Sequence, residues 1–141
     1  MSDIRQAATV VLLRENNGSI ETLMLRRNAA VVFAGGLWVF PGGRIDAEDF
    51  ASDPADIMAA ARRAAIRETL EETGLDIEGH ELHYFAHWTT PLGEVKRYAT
   101  WFFATLIDTS DSVQVDGHEI DGYQWLSPAA ALAAHRNQQL D

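Results

Sequence analysis

The chain has 141 residues, no cysteine and a formal net charge of −10, with 47% apolar and 23% charged residues. Those figures fit a folded domain with a sizeable core and exclude disulfides, thiolate metal sites and a thiol nucleophile. No apolar run reaches the ~18 residues of a membrane span, and Met1–Gln6 lacks the apolar core of an export signal, so a cytoplasmic location is expected. The acidic balance argues against nucleic acid as a partner.

Residues 7–13 and 20–25 read as strands joined by a hairpin turn at Asn17-Gly18. A short strand at 37–40 runs into Pro41-Gly42-Gly43. Ser52-Asp53-Pro54 offers a helix cap followed by proline at the first helical position. The alanine-rich stretch 55–73 is strongly helical, and Gly74 supplies its stop. Residues 81–88 and 95–107 read as further strands, the second rich in aromatics and threonine. A polar loop, 108–117, leads to a short strand near 123–126, and Ser127-Pro128 starts a last helix towards Gln139. Strands on both sides of one long helix, with a second helix at the end, imply an α/β sandwich. The hairpins argue for a mixed sheet. No linker or repeat divides residues 1–141, so one domain is expected. The last helix meets no stop signal, which leaves the C-terminus expected to be truncated.

The segment Arg67-Glu68-Thr69-Leu70-Glu71-Glu72-Thr73-Gly74-Leu75 breaks the rules of a solvated helix. Glu68, Glu71 and Glu72 fall within about 100° of arc, so three carboxylates share one face. Glu68 and Glu72 repel as an i,i+4 pair. Both also lie near the C-terminal end of the helix, where the macrodipole disfavours anions. Glu71 alone has an obvious helical partner, Arg67 one turn earlier. A random glutamate cluster is more often a solvated face, but such faces mix signs. Rules broken without compensation mark functional sites, and a hard cation such as Mg²⁺ would compensate.

Ahead of the helix stands Phe40-Pro41-Gly42-Gly43-Arg44. Pro-Gly-Gly alone is usually a turn, yet paired glycines also let backbone approach a ligand closely. Taken together, loop and helix resemble the Nudix hydrolase family, whose box reads G-x5-E-x7-R-E-U-x-E-E-x-G-U, with U a bulky aliphatic residue. Gly43 matches the leading glycine. Arg67 through Leu75 match the second half, except that Thr69 stands at the first aliphatic position. Asp49, beside Glu48, replaces the first box glutamate, and about ten extra residues separate Asp49 from Arg67. Asp46, Glu48 and Asp49 therefore have no assigned role at this point.

The resemblance implies a Nudix-type α/β/α sandwich with a central mixed sheet, and metal-dependent hydrolysis of a diphosphate linkage. It implies that Glu68, Glu71 and Glu72 hold Mg²⁺ or Mn²⁺, with the Gly42 carbonyl as a further ligand. One of these glutamates or a loop glutamate would act as base, and Arg67 would orient its acidic neighbours. Some members add a loop glutamate before a tryptophan-containing strand. Glu119, six residues before Trp125, is the candidate here, with Asp116 and Asp121 as competitors. Arg26, Arg44, Lys96 and Arg97 are the expected cations for substrate phosphates, with Arg27 also considered. Trp88, Tyr98, Trp101, Phe102 and Phe103 could stack on a base, though strand alternation makes most of them core. The expected partner is a small-molecule diphosphate, with a homodimer left open. Gly36 to Gly43 is similar to the second half of the coenzyme A pyrophosphatase signature, whose arginine position is Val32 here. Coenzyme A or an acyl derivative is thus one candidate substrate. Nucleoside diphosphate sugars, dinucleotides and oxidised nucleotides are others. The alternative from another class is a Nudix-like sensor that holds a nucleotide without cutting it.

Overall fold

A computed structural model describes residues 4–28, 36–51, 53–91, 97–108 and 112–130. The first strand, β1 (Ile4–Asn16), turns at Asn17 and Gly18 into β2 (Ser19–Arg27). The two turn residues have φ of 53° and 81°, as the Asn-Gly hairpin requires. Two short strands follow, β3 (Trp38–Val39) and β4 (Gly42–Arg44), then a 3₁₀ turn over Ala47–Phe50. The long helix α1 spans Ile57–Thr73, and β5 (His83–Thr89), β6 (Arg97–Leu106) and β7 (Ile120–Leu126) complete the sheet.

The strands hydrogen-bond in the order β3-β2-β1-β6-β5, with β4 also paired to β1 and β7 to β2. The sheet is mixed, as the hairpins imply. β1 and β6 run parallel over ten residue pairs, and every other pairing is antiparallel. β1 is long enough to serve three neighbours. β6 pairs with it from Ile4 to Leu13, β4 from Ala7 to Thr9, and β2 from Leu13 to Asn16.

The core forms where Val10, Leu12, Leu23, Leu25, Phe103 and Ile120 of the sheet meet α1. The helix meets them with Ala60, Ala61, Ala64 and Ala65, all fully buried. These small side chains let the α1 backbone lie close to the sheet, which brings its last two turns up against β4. Gly74 ends the helix in the left-handed conformation, φ 75°, its N–H donating to the Leu70 carbonyl.

The helix begins at Ile57 rather than 55, and its cap is Asp56. The Asp56 side chain accepts from the Ala59 N–H at 3.1 Å. Asp53 is used one step earlier, accepting from the Ala55 N–H at 3.0 Å, so Pro54 sits in a turn before the helix. Ser52 lies outside the described residues. β7 begins at Ile120, earlier than 123, because Ile120 is drawn fully into the core. Of the last helix, only Pro128–Ala130 fall within the described residues, and the Ser127 hydroxyl caps it by accepting from the Ala130 N–H.

Thr69 is fully buried and its hydroxyl has no hydrogen-bond partner among the described residues. A buried, unsatisfied hydroxyl costs about 1–3 kcal/mol. Thr69→Val keeps the shape and removes the polar atom, so it is expected to raise stability by about 1 kcal/mol in urea unfolding. A loss of that size would show that the hydroxyl is satisfied in solution.

Candidate functional site

The site begins with the close approach of β4 to its two neighbours. A Cβ on Gly42, whose φ is 158°, would collide with the Ala8 carbonyl oxygen and lie 2.9 Å from Thr9 Cα. A Cβ on Gly43 would lie 2.7 and 2.8 Å from the Glu68 carboxylate oxygens. No other residue fits either position without moving a strand or that carboxylate. The Gly42 N–H donates to Glu72 Oε1 at 2.9 Å. The paired glycines therefore seat two helix carboxylates against backbone.

Arg67 holds the other side of the same cluster. Its guanidinium donates to both Asp49 oxygens, at 3.3 and 2.9 Å, and to Glu68 Oε1 at 2.7 Å. It also donates to the Arg44 carbonyl at 3.0 Å, with Asp46 at 3.3 Å and Glu71 at 3.8 Å. Asp49, buried, also caps the 3₁₀ turn by accepting from the Asp46 N–H, and its carbonyl accepts from Arg63. The geometry thus makes Asp49 a bracing partner of Arg67 across the ten-residue insertion, whereas Glu48 is exposed.

The electrostatics follow from this packing. Hydrogen bonds to Asp49, and then to Glu68, hold Arg67 protonated even more firmly than usual. Burial pushes the Glu68 carboxyl above its ordinary value, opposed by Arg67 and aided by Glu71 and Glu119. Burial likewise pushes Glu72, only 2% exposed, up to about 8. The Gly42 N–H opposes that rise, and Glu68 and Glu119 add to it. Burial is the larger cause for both carboxyls, and the like charges of their neighbours add to it.

A cavity of about 450 Å³ opens over the cluster. Its acidic wall is Glu68, Glu71, Glu72, Glu119 and Asp46; Arg27, Arg44, Phe40, Val39 and Tyr98 stand among its other lining residues. Glu119 comes from the loop before β7. Its two competitors are engaged elsewhere: Asp121 pairs with Arg26 at 2.7 Å, and Asp116 accepts from three backbone N–H groups. Arg26 does not line the cavity, because Asp121 holds its guanidinium on the outside. Arg97 does not line it either, since its guanidinium donates to the Thr90 carbonyl. Lys96 and Val32 lie outside the described residues.

Arg27 occupies the place expected of Arg26. Neighbouring residues on a strand face opposite ways, and a register shift against β7 falls between these two. Arg27 is close enough to Glu72 to favour its ionised form. The adjacent pair Arg26-Arg27 was the available signal, without a way to choose between them. Tyr98, Phe40 and Thr9 complete the walls.

Oxygen donors from carboxylates, seated by a glycine loop and repelling one another, suit a hard divalent cation. Among the described residues no three acidic side chains already converge as a cation cage. Glu68 is turned to Arg67 and Glu72 to Gly42.

A mixed sheet with an acidic helix docked against a glycine loop defines the α/β sandwich of a Nudix hydrolase. The family model for the NUDIX domain matches residues 3–141, and the chain belongs to that family. It is similar to a putative 8-oxo-dGTP diphosphatase of Bacillus subtilis (strain 168), with 30% identity over 96% of this chain and 77% of that one. It is 24% identical to putative nudix hydrolase 7 of Caenorhabditis elegans over 90% of this chain, and spans about half (52%) of that relative's length. Its fold superposes on the crystal structure of a NUDIX hydrolase from Alicyclobacillus acidocaldarius with a TM-score of 0.88. That alignment covers 100% of this chain and 86% of the other at 23% identity.

The Glu72 carboxyl fixes a pH dependence. Between its ordinary value of 4.5 and about 8, folded metal-free protein retains a proton that the unfolded chain has released. The stability this contributes is complete below the unfolded value and is lost as pH rises through the folded one. Melting temperatures in chelator are expected to fall between about pH 5 and pH 8.5, and Glu72→Gln to flatten that fall. Parallel wild-type and variant curves would contradict the assignment.

Proposed function

We propose that this chain hydrolyses the diphosphate linkage of a nucleoside-diphosphate-containing small molecule with a divalent cation, Mg²⁺ or Mn²⁺. The observation that carries the reading is the cavity itself, which gathers four glutamates, two arginines and an apolar wall. Glu68, Glu71 and Glu72 would hold the cation, with the Gly42 carbonyl and Glu119 as additional oxygen ligands. Nudix hydrolases generally use such cations. When bound, the cation supplies charge neutralisation on phosphoryl oxygens and a more acidic water.

The remaining work falls to the protein. Arg27 and Arg44 meet phosphate oxygens that the glutamates alone would repel. Phe40, Val39 and Tyr98 pack against the organic group, and Tyr98 offers a ring face to a base. Glu68 is tied to Arg67 and Glu72 to Gly42, whereas the Glu119 carboxylate has no hydrogen bond among the described residues. On this reading Glu119 either holds a further cation or orients the attacking water and takes its proton. A cavity of about 450 Å³ suits one nucleoside diphosphate portion. Both coenzyme A and an oxidised deoxynucleoside triphosphate present such a portion, the second being the compound named for the B. subtilis relative.

The reading is tested by incubating the protein with Mg²⁺ and each of these compounds, acyl-coenzyme A, a dinucleotide and a nucleotide sugar in ¹⁸O-water. Label is expected on one phosphate product of P–O cleavage. Glu71→Gln and Glu72→Gln are each expected to lower turnover by about 10²-fold or more. Full activity in excess chelator, or simple monoesters cleaved at comparable rate, would overturn it.

A further inference from the structure

The segment that delivers Glu119 is anchored along its length. Val113 and Val115 pack against the core, and the Gln114 N–H donates to the Thr73 carbonyl at the end of α1. Ile120, at the other end, is fully buried. Between them one oxygen of Asp116 accepts from the N–H groups of His118 at 2.8 Å, Glu119 at 3.0 Å and Ile120 at 3.0 Å. Gly117, with φ of 80°, makes the turn, and its N–H donates to the Ile120 carbonyl at 2.9 Å. The Glu119 carbonyl in turn accepts from the Asn28 N–H at 2.7 Å, just past the end of β2.

Both backbone polar groups of Glu119 are thus bound, although the residue is exposed and its carboxylate lines the cavity. Asp116 does not line the cavity. We propose that Asp116 is a positioning residue, whose grip on three consecutive N–H groups holds Glu119 at the site of reaction. The physical reason is that an exposed glutamate on an unfixed loop would spread its carboxylate over many positions. Small displacements of a reacting group carry large losses in rate. A side-chain carbonyl-type oxygen carries the lone pairs that such a grip needs, and Asp116 offers it within reach of all three donors. The role rests on the hydrolytic reading above.

The test combines amide hydrogen exchange on metal-free protein with a kinetic cycle at saturating Mg²⁺. Asp116→Ala is expected to speed exchange at residues 118–120, and Asp116→Asn, which keeps the accepting oxygen, to restore most of the protection. Asp116→Ala should lower kcat by about 10-fold or more with KM changed by less than about 3-fold. On a Glu119→Gln background the same change should cost less than about 2-fold, because the group it positions is already gone. Gly117→Ala, where the added Cβ meets nothing within 4 Å among the described residues beyond its chain neighbours and only the turn is strained, should reproduce the kcat loss. Equal losses on both backgrounds, or an unchanged kcat despite faster exchange, would overturn the proposal. Absence of any diphosphate turnover in the wild type would instead overturn the hydrolytic reading and Asp116's role with it.

Discussion

Arg67 joins two stretches of chain, residues 44–49 and the end of α1, that lie far apart in sequence. Its guanidinium reaches the Arg44 carbonyl after the glycine loop, Asp46 and Asp49 at the 3₁₀ turn, and Glu68 on its own helix. A planar, permanently charged fork is the side chain that can satisfy such a set at once. Without it the cluster would set Glu68 and Asp49 close together with no positive charge between them. A partly buried ion network of this kind is a weak source of net stability. Its value lies in fixing which carboxylates point at the cavity and which brace the frame.

The ten-residue insertion is tolerated for the same reason. Asp49 and Arg67 meet through space, so the path between them can lengthen without changing the contact. The extra residues are taken up in a turn around Asp53–Asp56 and in the first turns of α1, away from Glu68 and Glu72. On the opposite side the two glycines set the distance, since Gly43 rests directly on the Glu68 carboxylate. Backbone and guanidinium together hold an arrangement of anions that repulsion alone would open.

Much of this could be read from residue order where the information is local. The Asn17-Gly18 hairpin, the Gly74 stop and the shared face of Glu68, Glu71 and Glu72 follow from turn chemistry and helical period. The mixed sheet followed from hairpins alone, although the three-way use of β1 did not. What stayed hidden depends on contacts distant in sequence. Arg26 and Arg27 look alike in the chain, and the pairing of β2 with β7 decides which of them meets Asp121. Asp116, Glu119 and Asp121 are equivalent acids in one loop until backbone donors, the cavity and Arg26 divide them. Asp56 displaced Ser52-Asp53-Pro54 as the helix start because Asp53 was already bound to the preceding turn. No rule of propensity ranks those two options.

The proposed seat for a divalent cation, these carboxylates held together by loop and helix, can be probed directly. Mn²⁺ titration followed by electron paramagnetic resonance tests it without substrate or turnover. The wild type is expected to give saturable binding at the site near neutral pH, and Glu72→Gln to weaken it by about 10-fold or more, since one buried carboxylate is lost. Equal Mn²⁺ affinity in the two proteins, or no saturable binding by the wild type, would contradict the account.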